Sequence, residues 1–237
     1  MKKNQLPPYM DILFNKIYSS KVLSNVFDDS RIVYMGNLGA TNTIMKDLLH
    51  DITKNAHVLQ IGLTFGSEIE LIYNKISKHG KLDIFDISDV QIERAKEKYS
   101  HYSINITKHD AVIPWEEKYD VVLCYNLLHE LPLKTRQKVM DNALNSLTNG
   151  GKAVFLDHAE PEPWNPVKWP LFLFNRLYRP FTESLWDEPL KSFCSRKDDF
   201  RWHHTFYRGG MLQKVVAIRK ILSTEDVLKL TKLFREK

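Results

Sequence analysis

From residue 57 to residue 157, short apolar runs alternate with amphipathic helical runs, and this alternation restricts the chain more than any single residue does. His57–Ile61, Lys81–Ile87, Asn105–His109, Asp120–Tyr125 and Lys152–Asp157 read as strands. Ser67–Lys78 carries Ile69, Ile72, Tyr73 and Ile76 at helical spacing. Ile92, Ala95 and Tyr99 share a face of the next helix, and Lys134–Leu147 turns Met140, Ala143, Leu144 and Leu147 inward. Strands separated by helices cannot pair as hairpins. They pair in parallel through right-handed crossovers, and the helices cover both faces of the sheet. The expected fold is α/β, a doubly wound, mostly parallel seven-stranded sheet. Its ligand belongs at the C-terminal ends of the strands.

What stands at those ends is polar or small. Gln60-Ile61-Gly62-Leu63-Thr64-Phe65-Gly66 follows the first strand, and Asp86 ends the second. Asp110, Asn126 and Asp157 stand at or just after the ends of the next three. Glycines lack a Cβ, so Gly62 and Gly66 let backbone approach a ligand closely. An acid one strand later can accept hydrogen bonds from ribose hydroxyls. The pattern predicts a nucleoside-containing cofactor. Two residues depart from such loops: Thr64 replaces a middle glycine, and Gln60 stands where an acid is usual.

Local chemistry names further candidates. Ser67 and Glu70 have capping-box spacing, and Ser88 can cap the following helix. Tyr125 and Asn126 end the fourth strand, where a substrate would meet the cofactor. His129 and Glu130 follow, and an imidazole there can serve as general base or metal ligand. The alternative is a plain His-Glu pair at a helix start. Asp157 and His158 offer a carboxylate beside an imidazole, which suits a divalent ion or a satisfied loop pair. His203 and His204 are adjacent in a strand and point to opposite faces, which makes them a poor two-histidine clip.

Residues outside the alternation divide the chain. Residues 1–55 read as an N-terminal helical cap, with Met10, Leu13, Phe14 and Ile17 on one helix and Met45, Leu48, Leu49 and Ile52 on another, broken near Asn37-Leu38-Gly39. Residues 56–160 and 200–237 form the nucleoside-binding domain. Residues 161–199 are an insertion that opens on Pro161, Pro163 and Pro166, which neither a helix interior nor a central strand tolerates. The insertion is rich in aromatic and aliphatic residues from Trp164 to Trp186, with Lys168, Arg176 and Arg179 among them. That mixture suits a lid or a membrane-surface element. Thr205–Tyr207 and Met211–Ile218 around Gly209-Gly210 read as an antiparallel pair closing the sheet, and a short charged helix begins at Ser223 or Thr224.

Composition excludes some classes. Two cysteines in 237 residues are no disulfide framework and point to a reducing, cytoplasmic setting. No apolar run is long enough to span a bilayer, and the N-terminal residues carry no secretory pattern. The net charge of +5 is compatible with an acidic membrane surface. Nucleic acid is not the expected partner, because the aromatics gather in an apolar run and do not interleave with a basic stripe.

The strand plan, the glycine turn and the acids after strands two and three resemble the class I S-adenosylmethionine (SAM)-dependent methyltransferase fold. The resemblance implies that Gln60, Gly62, Thr64, Phe65 and Gly66 contact the methionine part, Asp86 the ribose and Asp110 the adenine, with Asn126 also at the cofactor. A closer resemblance is to the rhodoquinone-biosynthesis family. It rests on "HVLQI" followed by "TFG", "LDIFDISDVQIERAKEKY", "LLHELP", "FLDHAEPEPWNPVKWP" and "TFYRGGMLQKVV", in that order over residues 57–216. Phe65 stands where that family carries a tyrosine. This resemblance implies a SAM-dependent enzyme that transfers an amino group derived from SAM to ubiquinone, at the ring position that carried a methoxy group. It also implies manganese and a lipophilic quinone as partner, and it specifies no metal ligands; the residues themselves offer Tyr125, His129 and Glu130 for the catalytic centre and the aromatic insertion for peripheral membrane association. The rivals are a conventional methyltransferase acting on a lipophilic phenol or quinol with His129 as base, and a catalytically silent binding protein, suggested by Gln60 and Thr64.

Overall fold

The computed structural model describes residues 20–28, 41–178 and 181–221. Among them, seven strands form one sheet: β1 His57–Ile61, β2 Lys81–Asp86, β3 Asn105–Lys108, β4 Tyr119–Tyr125, β5 Leu147–His158, β6 Phe200–Tyr207 and β7 Leu212–Arg219. Their spatial order is β3-β2-β1-β4-β5-β7-β6. Strands β1 to β5 run parallel, and β7 lies antiparallel between β5 and β6. The order reverses between β1 and β4, and such a reversal opens a crevice above the strand ends.

Both faces of the sheet are buried, so its central strands are mostly apolar. Val122 and Cys124 of β4 join Leu59, Phe155 and Ala217 on one face. Val121 and Leu123 join Val58, Ile84 and Val154 on the other. This is the two-residue period of a strand, with each phase meeting its own helical layer. Helix α5 (Leu133–Asn145) and the insertion cover the first face through Met140, Leu144, Leu185 and Phe193. Helices α2 (Thr41–His50), α3 (Glu68–Ile76) and α4 (Asp89–Lys98) cover the second through Met45, Leu48, Ile69, Ile72 and Ile92. A short helix α1 (Lys21–Phe27) packs near α4, where Gln91 Nε2 donates to Ser24 Oγ.

Several local expectations need adjusting. Ser67 is the N-cap of α3 but makes no capping bond, and Glu70 instead accepts the Tyr102 hydroxyl. Ser88 does cap α4, accepting from Gln91 N–H. Helix α5 ends at Asn145, two residues before the expected Leu147, and β5 starts before Lys152, with Gly150 and Gly151 near its start beside a register shift against β4. Strand β6 starts five residues before Thr205. The insertion contains α6 (Lys168–Tyr178) and the single turn α7 (Ser184–Asp187). The expected helix over Met10–Ile17, the break at Asn37–Gly39 and the helix from Ser223 lie outside the described residues.

Candidate functional site

The chain turns at Gly62 with φ of +82°, a backbone conformation that a side chain would strain. Gly62 N–H donates to Phe85 O at 2.8 Å, fastening the turn to β2. Leu63 N–H donates to Asp86 Oδ2 at 2.8 Å, and Ser88 N–H donates to Asp86 Oδ1 at 2.8 Å. Burial raises the Asp86 pKa, while those amides and the charge of Arg94 act against the rise. Two carboxylate oxygens offer about four lone-pair sites, so these bonds leave capacity for hydroxyl donors.

Above the strand ends lies a cleft with about 730 Å³ of atom-free space, counting its open mouth. Gly62, Asp86, Asp110, Tyr125, Asn126 and Glu130 line it. Asp110 accepts Val112 N–H at 3.0 Å, which shapes the turn after β3. Asn126 has φ of +50°, and its N–H is anchored to Leu156 O. Its buried Oδ1 has no hydrogen-bond partner among the described residues and is an acceptor for a ligand N–H. Sequence reasoning missed the apolar lining: Ile87, Leu127 and Leu131, and the His109 ring stacked near Phe85 and Trp115. Their only sequence signal is position, each one to six residues beyond a strand end.

Four expected cofactor residues do not line this cleft. Gln60 is buried, and its Nε2 donates to Ile61 O and Gly62 O, so it stiffens the turn from behind. Thr64 is buried below the turn. Gly66 N–H donates to Asp28 Oδ1 at 2.7 Å, and Gly66 O accepts from Lys98 Nζ at 2.6 Å. The Arg94 guanidinium lies over the Phe65 ring at 5.1 Å and pairs with Asp28 at 2.8 Å. The second half of the loop is therefore fastened to α1 and α4.

His129 also stays behind the cleft wall. It lies in a single helical turn (Leu128–Glu130) after β4 and is 3% exposed. Its Nδ1 is 2.8 Å from Asp157 Oδ1, and its Nε2 is 3.8 Å from Glu130 Oε1. The His158 ring stands edge-on to it at a centroid distance of 4.5 Å. Asp157 is fully buried and accepts the amides of Leu128 and His158 at 2.7 Å each. Burial opposes its charge, but the His129 and His158 imidazoles and these bonds prevail and hold its pKa at about 2. His203 and His204 of β6 stand opposite Val216 and Val215, and His204 Nε2 is 2.7 Å from Gln213 Oε1.

The geometry corresponds to known proteins at the level of fold. Residues 59–153, from β1 into β5, match the family described as "Methyltransferase domain". No curated protein matches the chain in sequence. An O-methyltransferase family protein from Burkholderia thailandensis superposes with a TM-score of 0.65 at 10% identity, covering 93% of this chain and 66% of its own. Human N-acetylserotonin methyltransferase in complex with SAM gives 0.57 at 16% identity, covering 89% and 59%. The N-methyltransferase NodS from Bradyrhizobium japonicum WM9 gives 0.56 at 15% identity, covering 81% and 98%. The chain thus spans less than two thirds of the human enzyme and nearly all of NodS. Strand order, cleft position and these likenesses agree: the chain has the class I methyltransferase fold.

Proposed function

We propose that the cleft binds SAM and that the chain transfers a SAM-derived amino group to ubiquinone, giving rhodoquinone. The observation that carries the cofactor assignment is the convergence of Gly62, Asp86, Asp110 and Asn126 on one cleft at the topological switch point. A complex with SAM among the structures sharing the fold supports it. In this reading Asp86 accepts the ribose hydroxyls, Asp110 meets the adenine and Asn126 Oδ1 accepts a cofactor N–H. The choice of amino transfer rests on the sequence pieces shared with the rhodoquinone-biosynthesis family.

Amination forms a ring C–N bond as the methoxy group leaves as methanol, and the Cα–N bond of SAM then breaks with loss of a Cβ proton. Both this and methylation of a phenol need a proton removed from the nucleophile, the cofactor ammonium or the phenol. Glu130 lines the cleft and can take that proton, with His129 directly behind it at 3.8 Å. The apolar wall of Leu127, Leu131 and Val139 keeps water from an electron-poor ring. The implied manganese can be tested against the residues present. His129, Asp157 and His158 each bring one donor atom within 4.8 Å of the others, a set that a divalent ion accepts. Such an ion would supply a fixed positive charge behind the Glu130 wall of the cleft.

A quinone tail favours a membrane surface. Trp164, Trp169, Leu173 and Leu177 are exposed, the last three at four-residue spacing along α6. None of the described helices is long and apolar enough to cross a bilayer. We assign this stripe to peripheral contact with lipid.

Purified protein incubated with SAM, manganese and ubiquinone should yield the aminated quinone, read by mass spectrometry as exchange of methoxy for amino. A methyl gain on a phenol or quinol instead would establish the second reading, a conventional small-molecule methyltransferase, which the mitomycin 7-O-methyltransferase and N-acetylserotonin methyltransferase among the structural relatives favour. Calorimetry with no SAM binding would leave a silent binding protein.

A further inference from the structure

We infer that His129, Asp157 and His158 are the ligands of one divalent cation, in a site the chain completes without the nucleoside. The inference deepens the proposed reaction, but the site is argued from its own geometry. Its three donor atoms lie within 4.8 Å of one another. Two ligands at right angles on one ion, each about 2.1 Å away, are about 3 Å apart. The 2.8 Å between His129 Nδ1 and Asp157 Oδ1 fits that spacing as well as it fits a shared proton.

The surroundings prepare the donors. Asp157 is fully buried and accepts the amides of Leu128 and His158, which fixes its carboxylate beside the two imidazoles. Gln213, opposite Asp157 in the β5–β7 ladder, donates to His158 O and is itself held by His204, which fixes the strand end. Adjacent strand residues normally diverge, as His203 and His204 do. His158 is the last residue of β5, and here the neighbouring donors converge. Two imidazoles and one carboxylate select manganese, iron or zinc over magnesium, which prefers oxygen ligands and retained waters. With the imidazole lone pairs engaged, proton removal at the cleft falls to Glu130.

The test is binding of manganese to chelator-treated full-length protein without SAM, followed by loss of the free-ion electron paramagnetic resonance signal. Calorimetry with zinc and magnesium runs in parallel. The expected result is one saturable site, weakened about tenfold or more in His158→Ala and in Asp157→Asn, with magnesium bound far more weakly than manganese. Circular dichroism and melting check folding of both variants; should Asp157→Asn not fold, His158→Ala decides. No saturable manganese binding in the wild type, or wild-type affinity retained in His158→Ala, overturns the site. SAM affinity is titrated on the same samples. Manganese binding without SAM binding overturns the proposed function and leaves this site standing. SAM binding without manganese does the reverse.

Discussion

Asp86 Oδ2 holds the amide of Leu63 at 2.8 Å, so the acid that ends β2 also fixes the residue following the first loop glycine. Loop shape depends on this carboxylate, and under the proposed function so does ribose recognition. Asp86→Asn keeps one acceptor and loses the charge. Charge-assisted hydrogen bonds contribute about 1.5–3 kcal/mol each. SAM affinity measured by calorimetry should fall about 10- to 100-fold in this variant. Unchanged affinity would place the ribose elsewhere.

Glu130 lines the cleft, and its Oε1 is 3.8 Å from His129 Nε2. Glu130→Gln preserves shape and removes the proton acceptor. Turnover should fall by about 10²–10⁴, mostly in kcat, with the acid limb of the pH–rate profile altered. A change confined to KM would make Glu130 a binding residue.

The sheet was legible in the sequence because a parallel strand buried on both faces is mostly apolar, and the helices between keep a 3.6-residue period. The cleft was legible where chemistry sits on a strand end, as at Gly62, Asp86, Asp110 and Asn126. Gln60, Thr64, Phe65 and Gly66 read as one cofactor loop, and the spacing held no sign that Asp28, Arg94 and Lys98 fasten its second half. Those partners lie about 30 to 40 residues away in sequence, and only packing of α1 against α4 brings them in. The same limit hid the His129–Asp157 contact, 28 residues apart.

Trp169, Leu173 and Leu177 are exposed at successive four-residue steps along α6, with exposed Arg176 beside them. Replacing all three apolar residues with serine should abolish co-sedimentation with anionic phospholipid vesicles. Exposed positions of this kind usually change stability by no more than about 0.5 kcal/mol each, so the melting temperature should stay close to wild type. Full vesicle binding by the triple variant would assign the stripe to another role.

Glu68 opens α3 only 3% exposed, and its carboxylate oxygens have no hydrogen-bond partner among the described residues. Burial pushes its pKa up to about 7, against its own amide and the charge of Lys98. A carboxyl whose folded pKa lies above its unfolded value favours the protonated form on folding. Stability is therefore greatest below about pH 4.5 as far as this group is concerned, and declines as pH rises towards 7, by an amount of the order of 3 kcal/mol. Glu68→Gln removes that dependence. Its melting temperature relative to wild type should be several degrees higher at pH 8 than at pH 5. Parallel melting curves across that interval would show that Glu68 is charged in the folded protein at little cost.

Arg136 is fully buried and joins the Glu130 turn to the insertion. Its Nε donates to Leu128 O at 3.0 Å and its Nη2 to Leu131 O at 3.2 Å. On the other side Nη2 donates to Phe181 O and Nη1 to Ser184 Oγ, both at 2.9 Å, with the guanidinium 4.9 Å from the Phe193 ring centroid. Burial lowers its pKa to about 10 against the nearby charge of Asp157, so it remains a cation at neutral pH. Arg136→Lys keeps the charge but cannot span four acceptors with one ammonium. Each carbonyl left without a donor costs about 1–3 kcal/mol, so the variant should melt well below wild type. Hydrogen exchange locates the loss: amides of 128–131 and of 181–185 should lose protection together in Arg136→Lys, while those of β1 and β2 keep theirs. Protection lost in only one of the two segments would show that the turn bearing Glu130 and the insertion are held independently.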